Sequence, residues 1–118
     1  MPTHDYQKLE VWRKSIDLVA SIYVLCKSLP ADERYGLCDQ MKRAAVSIPS
    51  NIAEGQKRFG NNDTIHFCNI ALGSLAELET QLIITSKVHG IETTEILKEC
   101  IVVSRMLHAL TKSLRVKS

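Results

Sequence analysis

At 118 residues, with 45% apolar side chains and a formal net charge of +2 from 15 basic and 13 acidic residues, the chain suits one domain that buries roughly two-thirds of its unfolded surface without a disulfide staple. So balanced a charge does not by itself point to a polyanionic ligand. No stretch approaches about eighteen uninterrupted apolar residues and the start lacks the basic-then-apolar order of a signal peptide, so a cytoplasmic, non-membrane protein with reduced thiols at Cys26, Cys38, Cys68 and Cys100 is expected.

The first periodic segment runs through Leu9, Trp12, Ile16, Val19, Tyr23 and Cys26 in steps of three and four, the spacing of a helix seam. Asp5 is placed to cap it, Arg13 and Asp17 stand one turn apart as a surface pair, and Leu29-Pro30 ends it because the residue before proline avoids the helical region. The second helix opens with Asp32 as cap and Glu33 in its first turn. It passes a soft spot at Gly36 and carries its seam through Leu37, Met41, Ala45, Ile48 and Ile52 towards Gly55. Phe59-Gly60-Asn61-Asn62 reads as a connection. Asn61 or Asn62 then caps a third helix with a seam of Ile65, Cys68, Leu72, Leu75, Leu78 or Glu79, Leu82 and Thr85 or Ser86. Gly90 ends it, with Lys87 and His89 suited to the negative end of its dipole. Gly73 and Ser74 leave room in its middle for another backbone. The fourth helix opens at Thr93 or Thr94, follows Ile96, Cys100, Val103, Leu107, Leu110 and Leu114, and is expected to fray beyond. Four helices of about 20 residues, each near 30 Å long, predict an all-α, antiparallel up-down-up-down four-helix bundle.

Residues 43–55 combine an apolar stripe, a proline inside that stripe and a polar row of Arg43, Ser47, Asn51 and Glu54, continued by Arg58. Pro49 cannot donate to the carbonyl of Ala45 and crowds it, so the helix must bend or stop there unless Ser47, Ser50 and Asn51 bond the freed backbone groups. The row is read as a structural brace. The competing reading, a catalytic pair of Asn51 and Glu54, lacks the second titrating partner or metal that acid/base chemistry needs.

Other chemistry fails on spacing. No glutamate has a histidine three residues later, as a di-iron bundle requires, and His66 and Cys68 point to different faces of a helix. His4, His89 and His108 have no evident partners. No catalytic residue, cofactor or metal is expected. Positive charge clusters at Lys42-Arg43, at Lys57-Arg58, and at Lys112, Arg115 and Lys117, ordinary solvated charges on a monomer. Apolar residues outside the seams, namely Val11, Ile22, Leu25, Ile70, Ile83, Ile84, Ile101 and Val102, predict a homo-oligomer.

The run Ser47-Ile48-Pro49-Ser50-Asn51-Ile52-Ala53-Glu54-Gly55 resembles the signature of the bacterial 23S rRNA intervening-sequence (S23-like) family. So do Leu9-Glu10-Val11-Trp12, Glu33-Arg34-Tyr35-Gly36-Leu37 and the stretch from Ile70 to Leu82. The resemblance implies a four-helix bundle in which Ser47, Pro49, Asn51, Glu54 and Gly55 form the signature. Through kinship with the accessory protein of diversity-generating retroelements, it also implies a pentamer with nucleic-acid and protein partners. In a ring, Lys42, Arg43, Lys57, Arg58, Lys112 and Arg115 recur in every subunit and become a charged belt. The expected function is a non-enzymatic oligomeric binding module that contacts RNA or DNA. Little base preference is expected, because Trp12 and Tyr23 are placed in the core. The alternative is a scaffold protein with a protein partner and no nucleic-acid affinity.

Overall fold

The computed structural model describes residues 5–117. A 3-10 turn, Asp5–Lys8, leads into α1 (Glu10–Cys26), and a second, Ala31–Glu33, precedes α2 (Leu37–Gln56), α3 (Asn61–His89) and α4 (Thr94–Lys117). No strand occurs among the described residues. Each helix packs on its neighbours in sequence, α1 closes against α4, and α2 with α3 is the most extensive pair.

Cross-helix contacts fix the directions. Cys26 meets Cys38 and the Lys42 amine lies over the Tyr23 ring, so α1 and α2 are antiparallel. Ser47 bonds Ser74 while Thr85 reaches the Met41 sulfur, so α2 and α3 are too. Asn61 bonds the Leu114 carbonyl while Thr93 bonds the Leu82 carbonyl, which reverses α4 on α3. This is the expected up-down-up-down bundle.

The seams of α2, α3 and α4 fall largely where periodicity places them, with Met41, Ala45, Ile48, Ile52, Cys68, Leu75, Leu78, Leu82, Cys100, Val103 and Leu107 buried. That of α1 does not. Its buried face is Val11, Ser15, Leu18, Ile22 and Leu25, whereas Ile16 and Tyr23 of the expected seam are 40% and 45% exposed. Helix α1 carries two apolar stripes side by side, and a serine in the middle of the true one hides it from an apolar pattern. Ser15 is tolerated there because its hydroxyl donates to the Trp12 carbonyl at 2.6 Å. Thr85 and Thr111 solve the same problem in α3 and α4, bonding the carbonyls of Gln81 and His108.

The helix starts also differ from expectation. α1 is entered through Leu9 without a side-chain cap. Arg13 donates to the Lys8 carbonyl at the junction with the first 3-10 turn and leaves Asp17 unpaired with it. Asp32 is spent in the second 3-10 turn, so α2 begins only after Gly36, and its capping acceptor is the Glu33 carboxylate, 3.3 Å from the Leu37 amide. The other Glu33 oxygen lies 2.6 Å from His89 Nε2, which gives His89 the partner that the sequence does not reveal. α3 is entered through Gly60 rather than an asparagine cap and ends at Gly90 in the left-handed conformation, φ 66°. α4 stays helical to Lys117.

The three buried cysteines and half-buried Cys26 are all free thiols. Burial pushes Cys100 up to about 12, and burial with the adjacent Cys38 does the same to Cys26. They pack as small apolar groups. Among the described residues α3 alone is long and apolar enough to span a membrane. It carries Glu77 and Glu79 near its centre and packs against both α2 and α4.

Helices α2 and α3 approach closely at Gly55, where a Cβ would stand 3.1 Å from the Phe67 Cβ and 3.3 Å from the Thr64 carbonyl oxygen. At Gly73, by contrast, a Cβ meets nothing within 4 Å, so the expected close approach in the middle of α3 falls at Ser74, bonded across to Ser47, and not at the glycine. Gly55→Ala should therefore cost about 1–3 kcal/mol through overpacking. Gly73→Ala should stabilise by up to about 1 kcal/mol through helix propensity. Urea midpoints that move in the same direction for both would refute this placement.

The hydrogen bond with His89, then the Leu37 amide, holds the Glu33 carboxyl below the usual range. Its contribution to stability is complete above the unfolded carboxylate pKa of about 4.3 and is lost as pH falls through the lower folded value. Glu33→Gln should thus reduce the drop in Tm between about pH 5.5 and 3. Thermal melts with the parent's full acid sensitivity would contradict this role.

Candidate nucleic-acid interface

Pro49 removes the donor to the Ala45 carbonyl, yet α2 runs on as helix to Gln56. Ser50 donates to the Val46 carbonyl at 2.8 Å, and the Asn51 amide donates to both the carbonyl and the hydroxyl of Ser47, at 2.8 and 2.9 Å. The expectation that these side chains bond the freed Ala45 carbonyl needs correcting, since they take the next two carbonyls along. The Ser47 hydroxyl continues the chain across to Ser74 of α3 at 2.8 Å. Glu54 turns outward to Arg58, and both are close to half exposed. Asn51 and Glu54 therefore have separate partners and do not converge on a common point.

The basic residues divide between the two ends of the bundle. α2 and α4 run in the same direction, so Lys57 and Arg58, just beyond the last turn of α2, share an end with Lys112 and Arg115 in the last turns of α4. Asn61 locks this arrangement by donating to the Leu114 carbonyl at 3.1 Å, tying the start of α3 to the turn that carries Lys112 and Arg115. Lys8 and Arg13 come to the same end with the start of α1, whereas Lys14 sits further along, in a surface pocket with Asp17, Glu99 and Val103. Lys42 and Arg43 do not join it. They sit in the first half of α2, Lys42 with its amine 4.7 Å from the Tyr23 ring centroid and Arg43 bonded to Asp39 at 3.0 Å. Acidic residues collect towards that far end, at Asp32, Glu33, Glu92, Glu95 and Glu99. The six expected contact residues are thus one group of four and a separate pair.

Of the two aromatic residues expected in the core, Trp12 packs against it, half buried and edge-on to Tyr6 with ring centroids 5.4 Å apart, whereas Tyr23 lies on the surface between α1 and α2. The aromatic that the sequence reading assigned only to a connection, Phe59, is 97% exposed. Its position between Lys57-Arg58 and Gly60 was the available signal. Val11, Ile22 and Leu25, counted as surplus surface apolar groups, are core, whereas Ile70, Ile83, Ile84, Ile101 and Val102 are indeed 39–57% exposed. Among the described residues no three His, Cys, Asp or Glu side chains come together as a metal-binding group.

The sequence profile of a family described as 23S rRNA-intervening sequence protein matches residues 7–109. The chain is also similar to a solved protein of unknown function from the S23 ribosomal protein family of Bacteroides thetaiotaomicron, with 26% identity and a TM-score of 0.78 over 86% of this chain and 98% of that one. No curated protein matches the chain.

The bonding pattern separates the two polar residues of α2 energetically. Asn51→Ala should cost about 1–3 kcal/mol, because it leaves the half-buried Ser47–Ser74 pair short of a donor. Glu54→Ala, which removes a surface ion pair, should stay within about 0.5 kcal/mol. Equal destabilisation of the two variants in urea titrations would show the row acting as one unit.

Proposed function

The chain belongs to the 23S rRNA-intervening sequence protein family, and on that footing we propose that it is a non-enzymatic, self-associating module that binds nucleic-acid backbones with one end of its bundle. The observation that supports this reading is the Asn61–Leu114 bond, which joins Lys57 and Arg58 to Lys112 and Arg115 at an end also supplied with Lys8 and Arg13. Lysine and arginine gathered this way bind phosphates chiefly by releasing condensed counterions. The exposed isoleucines and valines of α3 and α4 support self-association, since apolar faces of that kind are rarely left to water. Assembly repeats the basic end once per subunit and converts weak contacts into avidity.

Lys57→Glu with Arg58→Glu is expected to weaken binding to every sequence about equally and to flatten its salt dependence by about 0.7 in log–log slope per lost contact on single strands. Lys42→Glu with Arg43→Glu, at the far end, is expected to do neither. The measurement is a salt titration of oligonucleotide anisotropy on protein whose mass has been fixed by light scattering. Absence of binding even near 50 mM salt would leave a scaffold with a protein partner as the better account.

A further inference from the structure

Phe59 has no use in the fold. Its ring is 97% exposed, while the two residues that follow it are anchored: Gly60, at φ 97°, enters α3, and Asn61 is bonded to α4. The connection from α2 to α3 is therefore a short tip held at both sides, with the aromatic ring projecting from it. A surface pocket there is lined by Phe59 with Gly60, Asn61, Asn62 and Asp63, and Lys57 and Arg58 immediately precede the ring in the chain. Arg58 is itself held over the Phe67 ring, 4.9 Å from its centroid.

A protein partner or a lipid bilayer would call for several apolar groups side by side, and this tip offers one, beside two amides and the Asp63 carboxylate. An exposed flat ring at the end that gathers Lys57, Arg58, Lys112 and Arg115 matches another ligand. Single strands bind through a backbone-tracking positive surface with aromatic side chains on which unpaired bases stack, and a duplex keeps its bases out of reach of such a ring. We infer that Phe59 is a stacking platform for an unpaired base, so that the basic end takes single-stranded nucleic acid in preference to duplex. The inference rests on the nucleic-acid reading above and narrows its ligand. Tyr35, 87% exposed between Arg34 and Gly36, repeats the same local pattern at the opposite end, beside Asp32 and Glu33. Its place at the opposite end, away from Lys57, Lys112 and Arg115, makes it the internal control.

The test uses the full chain and three fluorescein-labelled probes of equal length, namely an oligouridylate, an abasic strand and an RNA duplex. Phe59→Ala should weaken oligouridylate binding about tenfold or more, leave the abasic strand and duplex unchanged, and leave the melting temperature unchanged because the ring touches no core. Phe59→Trp should restore binding, and Tyr35→Ala should have no effect. If Phe59→Ala binds oligouridylate like the parent while the Lys57→Glu, Arg58→Glu variant fails, the stacking platform is wrong and the electrostatic interface stands. If the parent binds none of the three probes at low salt, both fall together. Phe59-dependent binding to phosphatidylserine vesicles without oligouridylate binding, or loss of self-association in Phe59→Ala, would also overturn the inference, in favour of a membrane or subunit contact.

Discussion

The arrangement at the basic end depends on how closely α3 lies against the last turns of α2. That closeness exists because residue 55 has no side chain. With Phe67 and the Thr64 carbonyl standing where a side chain at 55 would press on them, the Thr64 hydroxyl can reach back to the Gly55 carbonyl at 2.9 Å. This gives that carbonyl, in the last turn of α2, a second donor beside the Arg58 amide at 3.3 Å. Because the two helices are already in contact there, the chain needs only residues 57–60 to turn between them. A longer connection would fold back on itself or hang loose. This one is too short to bury Phe59 or to move Lys57 and Arg58 away from α4.

Higher along the same pair of helices, the close contact continues through hydroxyls. Ser47 meets Ser74, and Thr85 meets the Met41 sulfur. A hydroxyl inside a bundle is costly unless bonded, and each of the buried ones has a backbone carbonyl or another side chain as partner. Small polar side chains let the helices approach more closely than leucine would. The core is consequently apolar in volume yet threaded with short hydrogen bonds, which favour one register between helices over its neighbours.

Those hydroxyls also explain how much could be read beforehand. In α2, α3 and α4 the buried stripe is dominated by Met41, Ile48, Leu75, Leu82, Val103 and Leu107, and apolar periodicity finds it. In α1 the serine at 15 interrupts the true stripe, while Trp12, Ile16 and Tyr23 make a more complete pattern on the wrong flank, so a rule that counts apolar residues prefers the surface. The Glu33–His89 bond joins residues 56 positions apart and leaves no local trace. The candidate site was legible as residue types and illegible as a site. Lys57-Arg58 and Lys112 with Arg115 stand out in the sequence, but whether they meet depends on helix direction and on Asn61. The same residue types at Lys42-Arg43 are separated from Lys57-Arg58 by more than half the length of α2.

Helix dipoles sharpen the distinction between the two ends. Taken helix by helix, the late Lys112 and Arg115 of α4 look like ordinary complements to its negative terminus. In an antiparallel bundle, however, each end gathers two positive and two negative termini, and their fields largely cancel. The end where α2 and α4 finish is also the end where α1 and α3 begin. Its excess of lysine and arginine over Glu10, Glu54 and Asp63 is therefore not absorbed by the backbone. Arg58 is committed to Glu54, but that pair lies at the surface, where a phosphate can compete for the guanidinium at little cost. What remains is a positive surface that few ions screen at low salt, at the end where an exposed aromatic ring stands for which the fold itself has no use.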